Sequence, residues 1–529
     1  MPTHAEQIAK TLVDCGVKSA FGLPGGEISA FLDACRRAGI RLLLTGHESS
    51  AAWMAQVTGQ ITGIPGVCFA TLGPGATNLV TGVANAFLDR SPLLAITAQI
   101  PKSRRATMTH QRVDIEALYA PITKRTTEVG TGDTCNLVRE CMFLASAPRP
   151  GPLMLVLPSD TAKEEDAGSS GSPEPKFPEG QRDGNDTLSM IRDRLALAQR
   201  PLILVGLGSP PGAAEGIRKL VETLQAPFVV TPKVKGILPE DHPLFLGVAS
   251  GMAIDRDIVA TVRSADLILG IGFDPVEVDK TWFVDVKVVN LDSVSMAEGN
   301  YRPLEAIGNL PSLVADLTAL IDAPKAWPQE LLDARRQSLR RRAGTTGPCV
   351  SPLALIEGLR SVFPRSGIVT CDVGSHKLLM GQFWRSYEPG TFFMSNGLSG
   401  MGFGVPAAIA AQLAQPDRAV MAVVGDGGML MMLHELALIR ELNLPVIIVV
   451  FVDNSLSLIR ISQQRRGYSP CAVDFTAPNF VAIAHAFGIG GERAKTVPHA
   501  QALLENALCH PSPFVLEVPI DIGEYYDLV

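Results

Sequence analysis

The chain is predicted to be an α/β protein built from three doubly wound domains with open, mostly parallel sheets. Three observations predict this. Short apolar runs alternate with helical stretches along the whole length, which is the pattern of repeated βαβ units. Several of these runs stop at Gly, Asp or Thr, as strand ends that face a ligand crevice do. Two polar stretches, Lys163 to Asp186 and Pro324 to Pro348, divide the 529 residues into three blocks. A chain of this length exceeds one ordinary domain.

The first block covers residues 1–165. Met1-Pro-Thr-His-Ala-Glu leads directly into an amphipathic helix pattern, with no signal peptide in view. The runs Gly66–Thr71, Leu93–Thr97 and Leu153–Leu157 read as strands. Lys163 to Asp186 is rich in Gly, Ser, Pro and Glu and reads as a linker. The second block covers 187–325, with strands expected at Pro201–Gly206, Pro227–Thr231, Ala265–Gly270 and Val286–Leu291. Its Gly206-Leu207-Gly208 turn is similar to a nucleotide-binding turn, and a lone GxG of this kind carries little weight. The third block covers 349–529. No short-period repeat of the solenoid kind is present.

Composition excludes several classes. The net charge of −7 argues against a nucleic-acid partner. Arg335, Arg336, Arg340, Arg341 and Arg342 form one dense basic cluster, read as a solvated helix face with a binding patch as the alternative. No apolar run reaches the roughly 18 residues of a membrane span. The nine cysteines are odd in number and scattered, with no C-x-x-C pair. That usage fits reduced thiols and a cytoplasmic location.

The chemistry concentrates in the third block. The apolar run Ala419–Val424 stops at Gly425-Asp426-Gly427-Gly428. A helical stretch, Met429 to Leu442, follows, and a second apolar run, Pro445–Val452, ends at Asp453-Asn454-Ser455. Asp453 lies 27 positions after Asp426, so strand, helix and strand bring both carboxylates to the carboxyl edge of one sheet. Carboxylates next to a diphosphate need a cation between them. Mg²⁺ takes hard oxygen ligands and commonly combines one or two carboxylates with phosphate oxygens. The glycines admit phosphate close to the backbone, and the helix start offers N–H groups. A plain Gly-Asp-Gly turn beside a surface Asp-Asn turn is the simpler alternative.

In the first block, Thr45-Gly46-His47-Glu48 follows the apolar run Leu42–Leu44 and opens a helix of small and apolar residues. An ordinary dipole-favoured glutamate is one reading of Glu48. A functional carboxyl in an apolar pocket, its pKa raised by desolvation, is the other.

Taken together, these motifs resemble the thiamine-diphosphate-dependent enzymes, closest to acetolactate synthase large-subunit-like proteins of the FAD-independent catabolic type. The similarity extends through Phe21-Gly-Leu-Pro-Gly25, Ile61–Val67, Thr71–Val83, Asp372-Val-Gly-Ser-His376 and Ser395–Gly404. It implies thiamine diphosphate and Mg²⁺ as cofactors. Asp426, Asp453 and the Ser455 carbonyl would hold the metal. Gly425, Gly427, Gly428, Val373, Gly374, Ser375 and His376 would line the diphosphate. Ser399 would offer its carbonyl to the 4′-amino group, and Met401 would prop the cofactor into its bent form; taken alone, Met401 reads as a core methionine. Glu48 would hydrogen-bond N1′ of the aminopyrimidine, so that the 4′ nitrogen can remove the C2 proton. His110 and Gln111, in Thr109–Asp114, would face the substrate, with a bland loop histidine the alternative for His110.

The implied reaction joins a 2-oxo acid, pyruvate by expectation, to a second 2-oxo acid with loss of CO₂. A non-ligating 2-oxo acid decarboxylase or a 2-hydroxyacyl lyase on the same scaffold is the alternative. No His-His pair of the kind simple pyruvate decarboxylases use occurs. A catalytically silent, nucleotide-binding relative is a third reading, opposed by the joint presence of Glu48, Asp426 and Asp453. Gly272-Phe-Asp-Pro-Val-Glu277 with Trp282 lacks the Arg-Phe-Asp pattern that accompanies FAD, which argues against a flavin. The family places the glutamate and the metal on different subunits, implying a homodimer or homotetramer.

The chain departs from the family at four places. Asp453 replaces the usual Asn ligand, and Ser375 stands where Gln is frequent. Glu27 replaces a Lys of the catabolic form, and Ser462 stands near the Trp of biosynthetic synthases. The last two bear on the choice of donor and acceptor.

Overall fold

The computed structural model describes residues 1–130, 132–166, 185–250, 253–278, 286–298, 301–340 and 350–528. It carries three six-stranded parallel sheets. The first contains β1 (Ser19–Gly22), β2 (Arg41–Leu44), β3 (Gly66–Ala70), β4 (Leu93–Gln99), β5 (Arg125–Glu128) and β6 (Pro152–Pro158) in the order β2-β1-β3-β4-β6-β5. The second contains β7 (Pro201–Val205), β8 (Phe228–Val230), β9 (Phe245–Val248), β10 (Leu267–Ile271), β11 (Val288–Asp292) and β12 (Leu304–Ile307), ordered β12-β11-β10-β7-β8-β9. The third contains β13 (Ile368–Cys371), β14 (Phe392–Met394), β15 (Val420–Gly425), β16 (Val446–Val452), β17 (Gly490–Arg493) and β18 (Phe514–Pro519), ordered β14-β13-β15-β16-β18-β17.

The first and third sheets share one strand order, although no sequence repeat announced it. In each, the chain leaves the first strand toward one edge and the third strand toward the other. The crevice between those two strand ends is a topological switch point, where ligands of doubly wound sheets bind. In the third sheet it lies between β13 and β15. The second sheet has the dinucleotide-fold order, with its switch point between β7 and β10.

By compactness the chain divides into two units. The first joins Met1–Phe177 to Gly397–Asp417 and Met432–Leu444; the second holds Pro178–Asn396, Arg418–Met431 and Pro445–Val529. The first sheet belongs to the former unit, the other two sheets to the latter.

The central strands form because they are continuous apolar runs and fully covered. Every residue of β4, β6 and β16 is buried, as parallel sheets with helices on both faces require. Full burial of one such side chain contributes about 1.5–3 kcal/mol. Edge strands differ: β5 reads Arg-Thr-Thr-Glu and β17 reads Gly-Gly-Glu-Arg. The first helix, His4–Asp14, starts in a capping box between Thr3 and Glu6. The linker expected at Lys163 to Asp186 lies largely outside the described residues, as do Trp282, Arg341 and Arg342 and the side chains of Arg335, Arg336 and Arg340.

One expected helix is divided. Met429 to Leu442 was read as a single stretch, whereas one helix spans Asp426–Met431 and another Glu435–Glu441, with turn residues Met432 to His434 between them. Hydrophobic spacing does not register such a break, because Met432, Leu436 and Ile439 are buried on either side of it.

In the second unit a fully buried ion pair ties the central sheet's loops to the segment before β14. Lys235 Nζ donates to both Glu240 oxygens at 2.9 and 2.8 Å. The Ser386 amide donates to Glu240 Oε2 at 3.0 Å. Burial pushes Lys235 down and Glu240 up in pKa, and each partner pulls the other back toward its charged form. Glu240→Ala strands a buried ammonium and is expected to destabilise this unit by about 3–5 kcal/mol. Urea denaturation checks this: a loss under about 1 kcal/mol, the worth of an exposed pair, would mean that Lys235 is solvated rather than buried.

Candidate active site

The second unit holds the residues expected to meet a metal and a diphosphate. Asp426 follows the last strand residue of β15 and is 2 % exposed. Its Oδ2 accepts the amides of Asp453 and Asn454 at 3.1 and 2.7 Å, and its Oδ1 accepts its neighbour Gly427's amide at 2.8 Å. Asp453 sits one residue past β16. It accepts the Ser455 amide at 3.0 Å on Oδ1 and the Ser457 hydroxyl at 2.6 Å on Oδ2. Burial raises both carboxyls, and Asp453, repelled also by Asp426, is pushed up to about 6.

Asn454 is turned elsewhere. Its backbone is left-handed at φ 59°, and its Oδ1 accepts the Ala477 amide at 2.9 Å. Asp453, not Asn454, therefore presents the second carboxylate. Ser455 Oγ donates to Asp474, which also pairs with Arg460, leaving the Ser455 hydroxyl committed away from the carboxylates.

Do these residues fit a cation and a diphosphate? A buried and a half-buried carboxylate at the ends of hydrogen-bonded neighbouring strands suit a divalent ion that relieves their repulsion. No cluster of three or more His, Cys, Asp or Glu side chains that could hold a metal occurs among the described residues, so further ligands would come from backbone and phosphate oxygen, as Mg²⁺ accepts. Ser375 and His376 open the nine-residue helix Ser375–Phe383 after Val373 and Gly374. Ser375 Oγ and His376 Nε2 are buried without a hydrogen-bond partner among the described residues, and the Ser375 hydroxyl can donate to an incoming anion. Burial pulls His376 down to about 4, leaving it neutral near pH 7. A side chain at Gly428 would collide with Asp372 Oδ2, which shows how closely the loops after β13 and β15 approach.

The first unit holds the other group. Glu48 is the first residue of the Glu48–Thr62 helix and is 7 % exposed. Asn78 Nδ2 donates to its Oε2 at 3.0 Å, and its Oε1 lies beside Gly75. Gln111 packs against Gly73 with a left-handed backbone, φ 55°. His110, its neighbour in the same loop, is exposed. Ser399 is left-handed at φ 54° and Met401 is half-buried. The loop carrying them touches Trp53 of the Glu48 helix through Gly400 and Gly402. Glu27 is half-buried and accepts the Thr71 hydroxyl at 3.1 Å. Ser462 lies in the helix Ser457–Arg465 of the second unit.

Models of known families match three segments. The thiamine pyrophosphate enzyme N-terminal TPP binding domain matches residues 2–118, the central domain 188–317, and the C-terminal TPP binding domain 372–518. The chain belongs to the thiamine pyrophosphate enzymes. Among similar members of that family, acetolactate synthase of Bacillus subtilis (strain 168) is 32 % identical over 99 % of this chain and 94 % of its own. The large subunit of acetolactate synthase isozyme 1 of Escherichia coli (strain K12) is 34 % identical over 99 % and 94 %. The catabolic acetolactate synthase of Raoultella terrigena is 28 % identical over 98 % and 95 %.

Sequence reading assigned no role to Asn78 or Asp372, although both lie in segments it singled out, and it passed over the pair His434–Glu435, whose contact is with a turn distant in sequence.

The central domain of this thiamine pyrophosphate enzyme uses its crevice differently. At the β7–β10 switch point the Leu207 amide of the glycine turn donates to Glu277 Oε2 at 2.8 Å. Thr231 Oγ1 donates to the same oxygen at 2.7 Å, and the Lys233 amide to Oε1 at 3.3 Å. Burial pushes Glu277 up to about 8 and nearby Asp292 up to about 7. The sign follows: an acid raised in the folded state binds more protons there than when unfolded, so stability falls as pH rises. For Glu277 the window runs from 4.5 to about 8. Glu277→Gln is expected to flatten this fall, measured as denaturation midpoints across the window; an unchanged slope would mean that Glu277 is ionised throughout.

Proposed function

We propose that the chain is a thiamine-diphosphate- and Mg²⁺-dependent carboligase of the acetolactate synthase type, joining pyruvate to a second 2-oxo acid with release of CO₂. The observation that carries this reading is the pair of carboxylates Asp426 and Asp453, tied together through backbone amides at the ends of β15 and β16, in a chain with full-length likeness to acetolactate synthases.

When bound, thiamine diphosphate supplies a carbon acid and an electron sink. The protein's own groups do the rest. Asp426, Asp453 and the Ser455 carbonyl hold Mg²⁺. Amides at Gly425, Gly427 and Gly428, with Val373 to His376, take the diphosphate. Glu48 holds a proton against the pyrimidine nitrogen N1′, in a buried setting that suits sharing it. Ser399 accepts from the 4′-amino group and Met401 supports the bend. Gln111 and His110 face the 2-oxo acid.

Flavin independence belongs to the same reading. Glu277 already takes the glycine-turn amide that a dinucleotide's diphosphate would need. The catabolic likeness rests on this residue pattern and on Val-Asp-Asn at the metal turn, since identity is no higher to the catabolic relative than to the others. The reading further includes domain limits at 1–165, 187–325 and 349–529, a homodimer or homotetramer, and a cytoplasmic setting. No disulfide joins the described cysteines, and no described helix is long and apolar enough to cross a membrane.

Purified protein with thiamine diphosphate and Mg²⁺, without flavin, is expected to consume pyruvate and yield acetolactate. Free aldehyde instead would move the assignment to a non-ligating decarboxylase. Asp453→Ala is expected to weaken Mg²⁺-dependent cofactor binding severely; an unchanged cofactor titration would remove it from the metal site. Glu48→Gln is expected to slow hydrogen exchange at C2 of bound cofactor by about 10²- to 10⁴-fold, read by NMR. Near-normal exchange would sink the role given to Glu48.

A further inference from the structure

We infer that Glu435 is a positioning residue that fixes the turn carrying Glu48. The inference rests on the reading of Glu48 as the carboxyl that meets the pyrimidine. Glu435 is fully buried, at the start of the Glu435–Glu441 helix. Its Oε1 accepts the Gly46 amide at 3.0 Å across 389 residues of sequence. His434 Nε2 lies 3.1 Å from the same oxygen. Glu435 Oε2 is buried with no hydrogen-bond partner among the described residues. A carboxyl so buried is costly to keep unless its one backbone contact has a purpose.

The surroundings supply that purpose. Gly46 lies in the turn Thr45–His47, two residues before Glu48. The His434 ring occupies the space that any side chain at position 46 would fill. Thr45 Oγ1 donates to the His47 carbonyl at 3.0 Å, and His47 Nδ1 accepts the Ser49 amide at 3.1 Å, capping the helix. Ser50 Oγ donates to Met432 Sδ at 3.4 Å. Met432, His434 and Glu435 thus touch the turn and the first helical turn on both sides of Glu48. The helix break at Met432 to His434 presents these three residues together. Rotation of the turn about Gly46 would shift the Glu48 carboxyl, and a displacement near 1 Å in a reacting group can cost about 100-fold in rate.

The test compares three variants with the wild-type protein. Glu435→Ala removes the acceptor, Glu435→Asp withdraws it by one methylene while keeping the charge, and Glu435→Gln keeps an acceptor in place. Hydrogen–deuterium exchange of the peptide containing Gly46, in cofactor-free protein, is expected to quicken by at least about tenfold in the Ala and Asp variants. C2 exchange of bound thiamine diphosphate is expected to slow by roughly 10- to 100-fold in the same two, with kcat falling and KM for the 2-oxo acid little changed. The Gln variant is expected to recover most of both rates. Asp serves if Ala does not fold. Wild-type rates in the Asp variant, or a Gln variant as impaired as Asp, would overturn the inference. If wild-type protein itself does not accelerate C2 exchange, the thiamine reading fails with it; if wild type does and the variants match it, the positioning role alone fails.

Discussion

The end of the third sheet depends on one constraint: two carboxylates, one buried and one half-buried, on adjacent strand ends. Asp426 is the hub. By accepting the amides of Gly427, Asp453 and Asn454 it ties the end of β15 to the end of β16. Those amides stabilise its charge, yet burial still raises its pKa. Asp453 is pushed up to about 6, in part by Asp426 itself. Two acids held this close repel when both are charged, and a divalent cation would relieve that repulsion.

The three sheets show what parallel architecture does and does not determine. The first and third share a strand order and so share the location of their crevices. The second also has a switch point with a glycine turn, and its open amide is already taken by Glu277. Topology thus sets where a ligand could bind. Side chains set whether the donors there are satisfied internally, as at Leu207, or left waiting, as at Ser375 Oγ.

Legibility in the sequence followed the same division. Apolar runs marked β3, β4, β6, β7, β15 and β16 to within a residue or two, because strands buried on both faces are continuously apolar. The edge strands β5 and β17 escaped notice because one is Arg-Thr-Thr-Glu and the other half glycine. Glu48, Asp426 and Asp453 were legible because each follows an apolar strand. Glu435 was not: its partner is a backbone amide 389 residues away, and backbone amides have no residue type to read. The break before it was hidden by a helical pattern of buried residues that continues across the turn.

The metal turn makes the same point at shorter range. Asp453-Asn454-Ser455 is held by a strap from residues 473–477. The Leu456 amide donates to the Val473 carbonyl at 2.7 Å, the Phe475 amide to the Asn454 carbonyl at 3.1 Å, and the Ala477 amide to Asn454 Oδ1 at 2.9 Å. Asn454 can take the left-handed conformation that this strap demands, which a β-branched residue would resist. With Asn454 committed to the strap, its side chain is turned from Asp426, and position 453 is the one that faces it. An aspartate there can carry a negative charge that an asparagine would not. The orientation of the turn is thus set by the backbone of a loop some 20 residues downstream.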